Sequence, residues 1–128
     1  MSRAPHDPAI LFDRVTKLFR RGRRTAGALE TLTLAVEAGG IAALVGPNGS
    51  GKTTALRIAA TLVTPSSGTC IVLGLDVLHR PRDVRRSIGV SLGSERSFYL
   101  RLTARQNLGF FAGILGMSAS ETRGAIRR

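Results

Sequence analysis

Hydrophobic and polar residues alternate along this chain in several distinct rhythms. Residues 10–19, ILFDRVTKLF, mix β-branched and aromatic side chains and predict a strand. Residues 20–27, RRGRRTAG, predict a charged turn punctuated by glycine. Residues 31–37, TLTLAVE, then alternate strictly. Leu32, Leu34 and Val36 share one face, and Thr31, Thr33 and Glu37 the other. A period of two predicts a half-buried strand of an antiparallel sheet. Residues 41–45, IAALV, are apolar without a break, the pattern of a strand covered on both faces.

The rhythm changes after a glycine-rich stretch. Residues 54–63, TALRIAATLV, are helix formers with Arg57 as their only charge, which predicts a mostly buried helix. TPSSG at 64–68 stops it. Residues 69–77, TCIVLGLDV, predict more strand with a glycine turn inside. PRDVRRS at 81–87 predicts a short basic helix, and IGVSL at 88–92 another apolar strand. Two later helix starts are marked by capping-box spacing, Thr103 with Gln106 and Ser118 with Glu121. The second helix runs to the last residue without a stop signal, so the sequence is expected to be part of a longer one.

Composition narrows the class. A chain of 128 residues, 43% hydrophobic and 21% charged, has the make-up of one globular domain or part of one. Its net charge of +11 is mostly arginine. That balance favours acidic partners such as nucleic acid, anionic lipid or phosphate ligands, or else a solvated basic surface. Cys70 is the only cysteine, so no internal disulfide forms. It sits in an apolar run and reads as a small core residue. His6 and His79 have no metal-ligand spacing. No apolar signal core or membrane-length run is visible, and the chain is expected to be soluble.

The stretch between the two rhythms carries the chemistry. Residues 46–53, GPNGSGKT, fit G-x-x-x-x-G-K-[ST]. Glycines at 46, 49 and 51 permit backbone angles closed to other residues. Successive N–H groups can then face inward around phosphates, and a helix starting at Lys52 aims its positive dipole end at the same place. Lys52 reaches the β- and γ-phosphates, and the Thr53 hydroxyl is the Mg²⁺ ligand. A predicted strand before and helix after supply the context that the motif requires.

Together, the residues at 44–77, LVGPNGSGKTTALRIAATLVTPSSGTCIVLGLDV, resemble the nucleotide-binding subunit of ABC transporters. The marks are a GPNGxGKTT loop, the P-x-SG turn at Pro65 to Gly68 and the GxD segment at Gly74 to Asp76. Residues 88–117 look like the stretch leading into that family's helical subdomain, and the resemblance runs from about residue 10 to the end. It implies an incomplete α/β fold: a P-loop NTPase core of the ABC type with an antiparallel β-subdomain (residues 1–92), then the start of a helical subdomain (93–128).

The resemblance also implies ATP and Mg²⁺ as ligands. Phosphate-side contacts are expected from Gly46, Asn48, Gly49, Ser50, Gly51, Lys52, Thr53 and Thr54. Lys52 is the only candidate here for a catalytic role. The adenine is expected to stack on an aromatic residue, placed at Phe19, with Phe12 or simple core packing as the alternative. The family's Mg²⁺-touching glutamine falls at Gly93, which has no side chain; the alternatives are substitution by Ser94 or Glu95, or a subgroup that works without it. The LSGGQ-like signature, the Asp-Glu pair and the switch histidine are missing. Asp76 lies 24 residues beyond Lys52, too early for the metal-organising acid.

The implied partners are membrane-spanning transporter subunits and a second ATP-binding subunit, at the inner face of the cell membrane and on its cytoplasmic side. The apolar run at 108–116, LGFFAGILG, is a candidate docking surface for the membrane subunit, or internal packing. No nucleic acid is expected. The chain by itself is expected to bind ATP without turning it over. The rival readings are a non-transporter ABC-type ATPase acting on nucleic acid or ribosomes, and another P-loop class such as a GTPase. The second lacks an N-K-x-D motif to read guanine.

Overall fold

A computed structural model describes residues 7–91 and 99–127. The chain divides into two compact units, Met1–Val90 and Ser91–Arg128. The first is built on four antiparallel strands: β1 (Ile10–Arg21), β2 (Arg24–Val36), β3 (Ser67–Val72) and β4 (Leu75–Asp76). Their order across the sheet is β2-β1-β3-β4. Helices α1 (Lys52–Ala59) and α2 (Pro81–Ser87) complete the unit.

β1 is the spine, paired on both edges. Phe12 and Val15 stand three positions apart, so a regular strand would point them to opposite faces. Both are nonetheless buried, at 3% and 0% exposure. An irregularity between them resets the pleat, with Arg14 at φ +49. Gly68 makes room for it: at φ +78, an added methyl would fall on the Arg14 carbonyl. The core then gathers Phe12, Val15, Leu29, Cys70 and Val72 from the sheet, Ala55, Ile58 and Ala59 from α1, and Val84 from α2.

The expected turn at 20–27 is much tighter. Only Gly22 and Arg23 stand between paired Arg21 and Arg24. Gly22, at φ +62, supplies the left-handed first position that lets a two-residue hairpin match the strand twist. Thr25, Ala26 and Gly27 are therefore strand, paired with Arg20, Phe19 and Leu18. The expected alternation holds beyond them, with Leu32, Leu34 and Val36 half-buried and Thr31 and Thr33 exposed. The glycine turn within 69–77 is a second two-residue hairpin, Leu73 at φ +52 and Gly74 at φ +77.

α1 is shorter than the predicted 54–63. Thr61 adopts φ +61, and Leu62 and Val63 donate back to the Arg57 carbonyl, which closes the helix at Ala60. Only one face is covered, by Ala55, Ile58 and Ala59, while Leu56 is 47% exposed. α2 forms where the sequence places it, with Pro81 in the first turn and Val84 as its buried anchor.

Two predicted strands do not form. Residues 41–45 carry no ladder, and Ile41 and Val45 are fully or almost fully exposed. Residues 88–91 are likewise irregular, and Leu92 lies outside the described residues. A strand exists only as half of a hydrogen-bonded pair, and among the described residues neither run has a neighbour to pair with.

In the second unit, α3 (Ala104–Ile114) and α4 (Ala119–Ile126) begin at the two expected capping boxes. The Gln106 N–H donates to Thr103 Oγ1 at 3.3 Å, and the Thr103 N–H to Gln106 Oε1 at 2.8 Å. Ser118 and Glu121 repeat the arrangement. α3 ends on Gly116 at φ +77, with Gly116 N–H on the Gly113 carbonyl and Met117 N–H on that of Ala112. Buried Asn107 ties the preceding loop down. Its Oδ1 accepts from Tyr99 N–H at 2.7 Å, and its amide faces the carbonyls of Tyr99, Leu102 and Thr103.

Candidate nucleotide site

The motif at 46–53 leads straight into α1, whose N-cap is Gly51 at φ +88. No side chain caps this end of the helix. The first-turn N–H groups and the positive end of the dipole therefore point at whatever the loop encloses. Gly49 also adopts a left-handed angle, φ +85. Gly51 is tightly confined: a methyl there would stand 2.5 Å from the Ala28 carbonyl oxygen and 2.6 Å from Leu29 Cδ2. The glycine thus serves two ends, a left-handed backbone and close approach of the loop to β2.

That approach makes a cleft of about 340 Å³ lined by Gly27 and Ala28 of β2 and by Asn48, Gly49, Gly51, Lys52, Thr53 and Thr54. Ser50 lies in an adjoining cleft with Gly49 and β2 residues that include Glu30. The Lys52 ammonium bridges the loop, donating to the carbonyls of Gly46 at 2.7 Å and Pro47 at 2.6 Å, with Ser50 Oγ at 3.4 Å. A polyphosphate entering the cleft would exchange these carbonyls for phosphate oxygens, better partners for a cation.

Seven of the candidate phosphate-side residues thus line these two clefts, and the eighth, Gly46, supplies a carbonyl to Lys52. Phe19 lines neither. It is paired with Ala26, one step along the sheet from Gly27, and the residue is 46% exposed. Lys17 Nζ stands 5.0 Å from the ring centroid. Phe12, the alternative, is in the core. Gly93, Ser94 and Glu95 lie outside the described residues. Gly27 was hidden in the sequence because the charge and glycine of RRGRRTAG read as loop, and Ala28 fell between the predicted turn and the predicted strand.

The fit to a nucleotide with Mg²⁺ rests on this donor set. Among the described residues, the main cleft is lined by glycine backbone, one lysine, one amide and two hydroxyls, with no carboxylate. Among the described residues no cluster of His, Cys, Asp or Glu could hold a metal unaided. A hydroxyl such as that of Thr53 suits an ion held chiefly by phosphate oxygens and water. Asp76 is engaged elsewhere, accepting from Leu78 N–H at 2.7 Å and His79 N–H at 3.0 Å. Burial works to raise its pKa, but these N–H donors and the His79 side chain overcome it and hold the carboxyl below its usual range.

Comparison with known proteins decides the family. The model of the ABC transporter family matches residues 29–127. The chain belongs to this family. Among the members it resembles is the ABC transporter ATP-binding protein NatA of Bacillus subtilis, 35% identical over 111 residues, or 87% of this chain and 45% of that protein. Another is the daunorubicin resistance ATP-binding protein DrrA2 of Streptomyces coeruleorubidus, 44% identical over 96 residues, 75% of this chain and 30% of that protein. A bacterial ABC transporter cassette, MJ0796, solved as a dimer, superposes with a TM-score of 0.75 at 28% identity, covering 90% of this chain and 53% of that one. The fold is therefore that of an ABC cassette, and the chain spans less than half the length of these curated relatives.

Proposed function

We propose that this chain binds ATP with Mg²⁺ at the 46–54 loop, as the N-terminal part of an ABC transporter's ATP-binding subunit. The observation that carries the reading is the loop itself: two left-handed glycines, an uncapped helix start and a lysine gathered around one cleft. In it Gly49, Ser50, Gly51, Lys52, Thr53 and Thr54 surround the phosphates, with Gly46 and Asn48 shaping the loop. Lys52 meets the β- and γ-phosphates, Thr53 ligates Mg²⁺, and the adenine stacks on Phe19. Mg²⁺, when bound, neutralises phosphate charge.

Residues 1–92 form the ATP-binding core with its β-subdomain, and 93–128 open the helical subdomain. The partners are membrane-spanning subunits and a second ATP-binding subunit, at the inner face of the membrane. The names of the relatives support this assignment. Binding without turnover is proposed for the 128-residue chain, because its sequence holds neither the LSGGQ-like signature nor the Asp-Glu pair, and no carboxylate lines the main cleft among the described residues.

Retention on ATP-agarose tests the reading. The chain is expected to be retained and released by free ATP, and Lys52→Ala to flow through; equal retention of both would contradict it. A phosphate-release assay is expected to give background rates, and robust turnover by the pure chain would refute the proposal of binding alone.

A further inference from the structure

A chain of short contacts joins the segment that follows α1 to the aromatic ring proposed for the base. Residues beyond α1 turn back beside β1, where the β1–β3 ladder begins. The Ser66 N–H donates to the Thr16 carbonyl at 2.8 Å, and the Leu18 N–H to Ser66 Oγ at 3.0 Å. Between these anchors, Lys17 Nζ donates to the Thr64 carbonyl at 2.7 Å. The same ammonium stands 5.0 Å from the Phe19 centroid, within reach of a cation–π contact. Lys17 and Phe19 are two positions apart on β1, and the contact itself places ammonium and ring on the same side of the strand. With the lysine in place, Phe19 keeps 46% of its surface exposed.

We propose that Lys17 is a positioning residue for nucleotide binding: anchored on the Thr64 carbonyl, its ammonium sets the Phe19 ring for the base. The inference rests on the Phe19–adenine reading above. A phenylalanine ring half in solvent has several rotamers and no polar tip to fix one. A cation tied at 2.7 Å to the segment after α1 selects one of them, so the base platform is ordered before the nucleotide arrives. Lys17 is then a determinant of affinity for the base and makes no contribution to phosphate binding.

Calorimetric titration of the 128-residue chain with Mg·ATP and, separately, with inorganic tripolyphosphate tests this. Lys17→Met is expected to weaken ATP binding about two- to fivefold, the scale of one exposed cation–π contact. Tripolyphosphate binding stays unchanged, and Lys17→Arg restores ATP affinity. In a Phe19→Ala background, Lys17→Met has no further effect. Equal weakening toward both ligands would overturn the proposal, since it signals a phosphate contact or a damaged fold. So would unchanged ATP affinity in Lys17→Met. The parent reading fails separately: Phe19→Ala that leaves the preference for ATP over tripolyphosphate intact removes adenine from this ring whatever Lys17 does.

Discussion

A single methyl group at position 51 decides whether the phosphate loop can lie against β2. Gly51→Ala places a Cβ 2.5 Å from the Ala28 carbonyl oxygen and forces φ +88 on a residue that resists it. The expected cost is about 1–3 kcal/mol of stability together with loss of ATP binding, read by thermal unfolding and calorimetry. Cys70 makes a second residue-scale prediction. Burial first, then the nearby Asp76 charge, push its thiol up to about 12. A thiol that stays protonated in the fold but ionises in the unfolded chain contributes stability below its ordinary pKa, near 9, and loses it as pH rises toward 12. Cys70→Ala is therefore expected to flatten the alkaline limb of a stability–pH curve; an unchanged limb would assign that limb to other groups. At this scale the sequence was informative where a motif fixes a backbone angle, as at Gly51. It was silent on Gly27, whose part in the cleft depends on a hairpin register.

Elements defined by local chemistry were legible. Both capping boxes lie where Thr103 with Gln106 and Ser118 with Glu121 place them, because each bond joins residues three apart. Ser118→Ala is expected to cost about 1 kcal/mol, seen as lost helicity by circular dichroism. Glu121 adds a pH dependence. The Ser118 hydroxyl and then its N–H hold the carboxyl below its usual range. That contribution is present above the unfolded carboxylate pKa and is lost as pH falls through the folded one, so α4 should fray on acidification. Asn107→Ala would leave the Tyr99 N–H and three carbonyls without their shared partner, and is expected to destabilise the second unit by about 1–3 kcal/mol, read by thermal unfolding. Residues 41–45 and 88–91 were not legible as they stand. Their apolar runs carry strand propensity, but a strand also needs a neighbour, which no local pattern supplies.

For the molecule as a whole, those runs leave apolar surface uncovered. Ile41, Val45 and Val90 are exposed at 103%, 92% and 50%. Exposed apolar backbone with open hydrogen-bonding groups is a template for self-association. The chain is expected to bind a hydrophobic dye and to associate as concentration rises, with Ile41→Lys reducing both in a sedimentation series; a monomer at all concentrations would contradict this. The candidate site draws on the same first unit but not on its missing ladders. Its groups come from one loop, one helix start and the hairpin strand β2, so among the described residues the cleft forms without a parallel sheet behind it.

The most direct measurement is the amide spectrum of the ¹⁵N-labelled chain titrated with Mg·ATP. The proposed site requires shifts at Gly46 and at residues 48–54, with smaller ones at Gly27 and Ala28 and at Phe19, and none of them in Lys52→Ala. An unchanged spectrum, or shifts that avoid the loop, would contradict it.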